Sequence, residues 1–247
     1  MQVKQIANLF KLMEFFSASE KPLSARNIID KFGWPRSSVF NIIETLIELG
    51  YLYQPSPRGG YLPTAKWLEL GQALLSIQPL PESVHQLLID LSYQTGETIF
   101  LTAPEGDQVI FLDVVESNAD IRFIASIGQR LPIHITAAGK AILAQYSAKE
   151  RAALLKRIEY HQFTEYSHRS MEAVENDIEQ GMKRGWQVNL GMYNQSVAGI
   201  AVPFPILNRP YAIALGAPRS RVEQATDKLG RVLLDTAKKY LSHLAES

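Results

Sequence analysis

Residues 22–65 read PLSARNIIDKFGWPRSSVFNIIETLIELGYLYQPSPRGGYLPTA, and this stretch decides the fold of the N-terminal part of the chain. Ser24 suits the start of a helix, because its hydroxyl can accept from free backbone N–H groups, and Gly33 suits its end. A second helix is predicted to open at Pro35, since a first helical residue needs no N–H donor. The pattern predicts two short helices joined by a tight turn.

The second of these helices has an apolar face and a polar one. Its apolar residues recur at helical spacing, and the opposite face begins with small polar side chains beside Arg36. Such groups suit the base edges of a DNA major groove. A helical hairpin with a merely solvated outer face is the alternative. With Arg26 of the first helix, the expected DNA contacts here are Arg36, Ser37, Ser38, Phe40, Asn41 and Thr45.

Two short aromatic runs follow, residues 50–53 and 60–62, joined by a turn-rich loop that carries Arg58 and Gly59. They predict a β-hairpin wing whose arginine contacts a phosphate or the minor groove. Ahead of residue 22, an amphipathic helix is predicted to close the small core through Ile6, Leu9, Phe10, Met13 and Phe16. Together these elements outline a winged helix-turn-helix.

Three segments carry a resemblance to a known family. The first runs from Ser24 to Gly60, and its most specific part is Gly33-Trp34-Pro35-Arg36-Ser37-Ser38-Val39. It resembles the DNA-binding domain of the isocitrate lyase regulator (IclR) family. Residues 128–134 and 136–144 resemble the signature of that family's effector-binding domain, and residues 199–204 resemble the strand that follows its effector loop. The three segments stand in the family's order across nearly the whole chain.

The resemblance implies an α+β protein with three parts. Residues 1–63 would form the winged helix-turn-helix and residues 64–78 a linker helix that helps to pair two DNA-binding domains. Residues 79–247 would form a GAF-like effector-binding and oligomerisation domain. A helix that caps the first domain is the alternative for the linker.

The pattern after residue 80 alternates between helices and strands, which agrees with an α+β sensor domain. Helices are predicted over residues 84–94, 137–145, 148–158 and 171–184, with a closing helix from about residue 222. Strands are predicted over residues 98–103, 109–116, 121–127, 199–206 and 211–217.

Composition bounds the class of protein. The chain has 247 residues, 46% of them hydrophobic, a net charge of zero and no cysteine. It lacks a signal peptide and any apolar run of membrane-spanning length, so we expect a soluble cytoplasmic protein. Residues 1–66 hold eight Lys or Arg against five Asp or Glu, a balance of +3. This modest excess has the sign that DNA binding needs.

Catalytic motifs are missing from the sequence. None of the five histidines stands at the spacing of a zinc pair, and Gly139-Lys140 lacks the first glycine and the Ser or Thr of a phosphate loop. No nucleophile elbow or carboxylate pair stands out. We therefore predict no enzyme activity, no catalytic residue, no metal and no cofactor.

A ligand pocket is better supported. Thr136 can cap a helix that begins with Ala137, Ala138 and Gly139, and free N–H groups at such an end favour a carboxylate. Close packing of another helix on these small residues is the alternative. With the family's loop, here residues 189–196, the resemblance places the effector contacts at Phe123, His134, Ala138, Gly139, Leu190, Tyr193, Gly199, Ala214 and Gly216.

Two departures from the family pattern affect specificity. Members that bind small oxo-acids tend to carry a cysteine and two serines where this chain has Gly199, Ala214 and Gly216. More volume and fewer hydroxyl groups favour a bulkier organic acid, such as an aromatic one. Asn41 replaces the usual arginine of the recognition helix, and an amide pairs with adenine, so sequence preference rather than binding is expected to change.

The predicted partners are double-stranded DNA with a near-palindromic operator, a small organic-acid effector and a second copy of the chain, in a homodimer or homotetramer. No membrane partner is predicted. A sensor module whose winged helix binds protein, or a small-molecule enzyme, are the rival interpretations.

Overall fold

The computed structural model describes residues 3–57, 59–76 and 80–246. The chain divides between Leu80 and Pro81 into two compact units. Arg58 and the end of the predicted linker helix, residues 77 and 78, lie outside the described residues. The boundaries 1–63, 64–78 and 79–247 stay a prediction.

The first unit contains the predicted helix-turn-helix. Its elements are α1 (Lys4–Ser17), α2 (Ala25–Phe32), α3 (Arg36–Glu48), β1 (Leu52–Tyr53), β2 (Leu62–Pro63) and α4 (Lys66–Ser76). Ser24 accepts from the Asn27 N–H at the start of α2, and Gly33 ends α2 with φ +64°, as predicted. Pro35 has extended ψ 138° and precedes the first helical residue, so its prediction as that residue is wrong by one position.

The core of the first unit lies between α1, α2 and α3. Its buried members are Leu12, Phe16, Leu23, Ile28, Val39, Ile43, Leu46 and Leu52. The prediction that Ile6 and Phe10 belong to it is wrong, because their side chains are 55% and 59% exposed. Leu9, Met13 and Phe16 do pack in this core, as predicted, so helical spacing was wrong only for the two residues on the outer side of α1.

The wing is short and is tied to the start of the helix-turn-helix. Leu52 pairs with Pro63 and Tyr53 with Leu62 in antiparallel register. Leu23 and Tyr61 exchange two backbone hydrogen bonds of 2.8 and 3.1 Å. Trp67 at the start of α4 packs on Tyr51 and donates its indole N–H to the Tyr51 carbonyl at 3.1 Å.

The second unit is a twisted antiparallel sheet covered by helices. Its elements are α5 (Ser83–Thr95), β3 (Thr98–Glu105), β4 (Gln108–Val115), β5 (Arg130–Pro132), α6 (Ala137–Leu143), α7 (Ala148–Leu155), α8 (Met171–Arg184), β6 (Gln187–Leu190), β7 (Val197–Ile206), β8 (Arg209–Pro218) and α9 (Arg219–Glu246). The strand order is β5-β4-β3-β8-β7-β6. This mixed architecture confirms the α+β prediction.

The two faces of the sheet differ in side-chain size. Strand alternation places small residues of β7 and β8 on the face that α6 covers: Gly199, Ala201, Ala212, Ala214 and Gly216. Large residues such as Ile200, Phe204 and Leu215 occupy the opposite face, where Phe204 meets Tyr240 of α9. Small side chains let α6 approach the sheet and leave room beside it.

The predicted strand over residues 121–127 is wrong. This segment has no regular structure, and the third strand of that region is β5, at Arg130–Pro132. Ile121, Ile124 and Ile127 are each about two-thirds exposed or more, at 72%, 67% and 68%. The Phe123 carbonyl accepts from the Thr98 hydroxyl at 2.6 Å, so a side chain holds this loop instead of a strand ladder.

Candidate functional site

The outer face of α3 is available to a partner. Arg36, Ser37, Asn41 and Thr45 are exposed, and Ser38 and Phe40 are half-buried. The Arg36 guanidinium lies 5.5 Å from the centre of the Phe40 ring. The helix therefore presents a cation, a hydroxyl and an amide along its first two turns.

Other predicted DNA-binding residues have contacts within the protein. The Thr45 hydroxyl donates to the Asn41 carbonyl at 2.7 Å, so its proton is used inside the helix. Arg26 is 90% exposed and lies 3.6 Å from Asp30, a distance at which a surface ion pair contributes little. In the wing, Gln54 donates to the carbonyl of Gly59 at 2.8 Å.

A cavity of about 200 Å³ opens in the second unit beside the N-terminus of α6. Gly199, Ala214 and Gly216 of the sheet form its floor. Phe100, Phe111 and Phe123 form an aromatic wall. The Phe100 and Phe111 rings stack at 4.4 Å and 10°. A Cβ on Gly216 would lie 2.5 Å from Phe123, so the missing side chain admits that ring.

The rim of the cavity is polar and uncharged. Its side chains are the amides of Gln129, Asn189 and Asn194 and the hydroxyls of Thr136 and Tyr193. Among the described residues that line the cavity, none is acidic, basic or histidine. Thr136 caps Gly139 N–H at 3.1 Å, and the first N–H groups of a helix have no acceptor within it. The rim can therefore bind a polar group through neutral donors.

The structure brings six of the nine predicted effector residues together around this cavity. These are Phe123, Ala138, Tyr193, Gly199, Ala214 and Gly216. His134, Gly139 and Leu190 do not line it. A Cβ on Gly139 would lie 1.9 Å from the Ile133 carbonyl oxygen, so close backbone packing accounts for this glycine. Ala137 and Ala138 line the cavity.

His134 belongs to a separate polar cleft, which also contains Asp107, His161 and Tyr193. Its ring is buried against Tyr160 at 5.3 Å, and neither ring nitrogen has a hydrogen-bond partner among the described residues. Burial lowers the pKa of His134 from 6.5 to about 4, although the charge of Asp107 works against this shift. The imidazole is therefore neutral at pH 7.

Several lining residues were missed from the sequence. Phe100 and Phe111 stand in strands whose alternation gave a signal for burial but none for a cavity. Gln129 and Asn194 lie in loops, and only the fold brings them to the same rim. Thr136 was predicted as a cap and serves as one, but it also lines the cavity.

Metal sites and membrane spans receive no support from the described residues. Within residues 3–57, 59–76 and 80–246, no group of His, Asp or Glu is arranged to hold a metal ion. In the same part of the chain, no helix is both long and apolar enough to cross a bilayer.

Comparisons with known proteins identify both units. The family described as the IclR helix-turn-helix domain matches residues 5–56. The family described as bacterial transcriptional regulator IclR C-terminal matches residues 72–242. The transcriptional repressor IclR of Escherichia coli is 26% identical over 242 residues, which cover 96% of this chain and 88% of that protein.

Two solved structures show the same fold. The Thermotoga maritima IclR superposes with a TM-score of 0.75 at 22% identity, over 96% of this chain and 99% of that one. An IclR homologue from Microbacterium hydrocarbonoxydans, in complex with 4-hydroxybenzoate, gives a TM-score of 0.78 at 19% identity, over 99% and 100% of the two chains. From its two family matches, the chain belongs to the IclR family of bacterial transcriptional regulators, which are not enzymes.

Proposed function

We propose that this regulator binds a near-palindromic operator as a homodimer or homotetramer in the cytoplasm, and that a small organic acid in the cavity changes its operator affinity. The cavity carries the proposal, because it joins an aromatic wall to an uncharged polar rim in the unit that does not contain the helix-turn-helix. A ligand there acts on DNA binding only by as much as its affinity differs between two states of the protein.

In this proposal α3 lies in the major groove. Arg36, Ser37 and Asn41 are exposed on one side of the helix and supply a cation, a hydroxyl and an amide to base edges and phosphates. Arg58, in the wing, would contact the phosphates beside them. The balance of +3 in residues 1–66 is small, so two copies are needed to collect enough phosphate contacts.

An apolar stripe on α1 supports the homodimer. Val3, Ile6 and Phe10 are 51%, 55% and 59% exposed and follow one another at helical spacing. A groove between α1 and α3 continues this surface, and Asn41 and Thr45 line it together with the apolar residues Ile6, Leu9, Ile42 and Leu49. A second copy that covers the stripe would remove these side chains from water and would place two recognition helices on the two halves of a palindrome.

The effector in this proposal is an aromatic carboxylate of one ring. A cavity of about 200 Å³ is larger than the roughly 150 Å³ that suffices for benzene. The phenylalanine wall suits a ring, and the rim amides, the Tyr193 hydroxyl and the first N–H groups of α6 suit a carboxylate. The Thr136 hydroxyl already donates to the Pro132 carbonyl at 3.0 Å. Since the homologue from Microbacterium hydrocarbonoxydans is in complex with 4-hydroxybenzoate, this compound is the first probe to test.

The test titrates the full chain against duplex DNA from upstream of its own coding gene, at several salt concentrations, with and without 4-hydroxybenzoate. We expect retention at low salt and an affinity that changes with the ligand. Failure to retain any duplex at low salt would favour the rival interpretation, a winged helix that binds protein.

A second measurement addresses the effector class. At 100 times its dissociation constant, a ligand stabilises the protein by about 2.7 kcal/mol, which raises the melting temperature. We expect this rise with 4-hydroxybenzoate and no rise with glyoxylate or pyruvate. Stabilisation by glyoxylate at low millimolar concentration would contradict the aromatic assignment.

A further inference from the structure

Lys140 is a buried cation behind the cavity. It stands in α6, the helix whose first residues line the cavity, and its side chain is 0% exposed. A buried ammonium group loses its hydration, and hydrogen-bond acceptors of the protein must replace the lost water. The groups that Lys140 binds therefore indicate the role of a lysine at this position.

The Lys140 ammonium joins three elements. It donates to the carboxylate of Asp177 in α8 and, at 2.5 Å, to the Val188 carbonyl in β6. The Asp177 carboxylate also binds Nε2 of His168 at 2.9 Å. Burial opposes the ionisation of Asp177, but His168 and Lys140 outweigh it and lower the Asp177 pKa to about 2. The carboxylate is therefore charged, and its charge opposes the lowering of the Lys140 pKa that burial causes.

Val188 precedes the residues that form one side of the cavity rim. Asn189 follows it in β6 and lines the cavity, as do Tyr193 and Asn194 of the adjoining loop 191–196. The Asn189 side chain accepts from Met192 N–H at 2.8 Å, and the Met192 sulphur lies 3.9 Å from the Lys140 ammonium. The start of the loop thus rests on Lys140.

Two hydroxyl groups hold the same loop from a second direction. Thr164 donates to the Gly191 carbonyl at 2.7 Å, and Ser167 donates to the Met192 carbonyl at 2.7 Å. Ser167 precedes His168, whose ring binds the Asp177 carboxylate, so the contact of Ser167 with the loop is connected to Asp177. The loop is clamped behind the cavity by one connected polar network, of which Lys140 is the only member contributed by α6.

We propose that Lys140 is a positioning residue for effector binding, which fixes Val188 and the residues after it where Asn189, Tyr193 and Asn194 line the cavity. The proposal rests on the proposed effector function of that cavity. A purely structural pair would need only the contact with Asp177, whereas the bond to Val188 extends the restraint to the rim.

Arg151 and Glu175 provide a matched control. They form an ion pair of 2.7 Å between α7 and α8, with side chains 9% and 19% exposed. Glu175 is two residues from Asp177 on the same helix, but the bonds of Arg151 go to Glu175 and to the Tyr146 carbonyl, not to β6 or the loop. Loss of this pair reports on stability alone.

The experiment compares K140M, K140M/D177N and R151M in the full chain without ligand. Amide hydrogen exchange over residues 188–194 is expected to accelerate at least tenfold in both Lys140 variants and to stay within twofold in R151M. The double variant should regain melting temperature relative to K140M, because it removes a buried Asp177 charge that has lost its Lys140 partner and keeps only His168. It should not regain protection of the loop, since no donor reaches Val188. If K140M does not fold, hydrogen exchange over residues 188–194 in K140M/D177N tests the proposal.

Binding of 4-hydroxybenzoate by calorimetry is the second readout. We expect at least tenfold weaker binding in K140M and K140M/D177N, and binding within twofold of wild type in R151M. Unchanged exchange over 188–194 in the Lys140 variants, or protection that returns together with melting temperature, would overturn the positioning role. If the wild-type chain does not bind 4-hydroxybenzoate, the proposed effector class is wrong. The hydrogen-exchange data still test the positioning role of Lys140.

Discussion

Gly216 shows how one absent side chain shapes the cavity. An added Cβ would lie 2.5 Å from Cδ1 of Phe123 and 3.1 Å from Cε1 of Phe100. Both rings belong to the aromatic wall, so they would have to move before any side chain could be placed there. Glycine here sets the position of the wall, and through it the volume beside the rim.

Gly216→Ala should therefore weaken 4-hydroxybenzoate binding about tenfold, because the displaced rings no longer match a planar ligand. Overpacking a core by one methyl group costs about 1–3 kcal/mol. Calorimetric titration measures this. Gly71→Ala in α4 is the control, since a Cβ there meets no atom within 4 Å. Equal affinity in the two variants would show that Phe123 does not limit the site.

His134 is a second residue whose surroundings decide its role. Its ring is 3% exposed, and its pKa is lowered from 6.5 to about 4 by burial. The unfolded chain binds a proton at this histidine more readily than the folded one does. Stability from the neutral ring is thus complete above pH 6.5 and is lost as the pH falls towards 4.

His134→Gln should make unfolding less sensitive to pH between 6.5 and 4. At about 1.4 kcal/mol per pH unit, the wild-type chain should lose roughly 3 kcal/mol more over this window than the variant. Denaturant unfolding at a series of pH values measures the difference. Asp177 titrates below this window, since its pKa falls from 3.8 to about 2. Parallel pH profiles would contradict the assignment.

At the scale of elements, α3 has an exposed polar side and a buried apolar one. Val39, Ile43 and Leu46 are buried, and Arg36 is exposed at its start. Arg36 is the only cationic residue of α3, whose other charged residues are Glu44 and Glu48. Arg36 therefore bears much of the proposed phosphate attraction.

Arg36→Ala should weaken operator binding about tenfold and should reduce the slope of log affinity against log salt by about one per copy bound. Mobility-shift titrations at several salt concentrations give both quantities. Lys149→Ala, an exposed cation on α7, should leave both unchanged. An unaltered slope in Arg36→Ala would remove α3 from the interface with DNA.

The apolar stripe of α1 is the second element with a testable role. Ile6 and Phe10 are exposed although they fit the amphipathic pattern that predicted them as core. The stripe gains stability only if another surface covers it. Phe10→Glu should therefore shift the equilibrium between dimer and monomer towards the monomer in sedimentation analysis. Lys11→Glu, an exposed neighbour on another side of α1, should not. A dimer that persists in Phe10→Glu would place the interface elsewhere.

At the scale of the whole molecule, the proposed function links a ligand site in one unit to DNA binding by the other. If an effector lowers operator affinity by some factor, the operator must lower effector affinity by the same factor. Typical coupling is about 1–3 kcal/mol, or 5–150-fold.

This reciprocity predicts that saturation with operator duplex changes the dissociation constant for 4-hydroxybenzoate by the factor that the ligand imposes on operator binding. Calorimetric titration of the ligand into free and DNA-bound protein supplies one factor, and mobility shifts supply the other. A scrambled duplex of equal length is the control. Unequal factors would mean that the ligand also acts outside the two-state switch.

The sequence by itself determined what depends on neighbours along the chain. Ser24 and Gly33 bounded α2, and Gly185 ended α8 at φ +94°, because caps and helix stops are local events. The order of the motifs was sufficient for the family. The strand prediction for residues 121–127 failed because it followed the β propensity of the isoleucines. The conformation of the segment depends on a hydrogen bond from Thr98, more than 20 residues away.

Only the tertiary structure decided which residues share the cavity. Phe123, Ala138, Gly199 and Gly216 come from four separate segments, and their meeting depends on the register of β7, β8 and β3. The tertiary structure also showed that Gly139 serves close packing, whereas its neighbour Ala138 lines the cavity. It brought Lys140 into hydrogen-bond contact with Val188, 48 residues further along the chain. Periodicity reports which face of an element is buried, whereas a cavity is space that packing leaves unfilled, and only the packed elements define it.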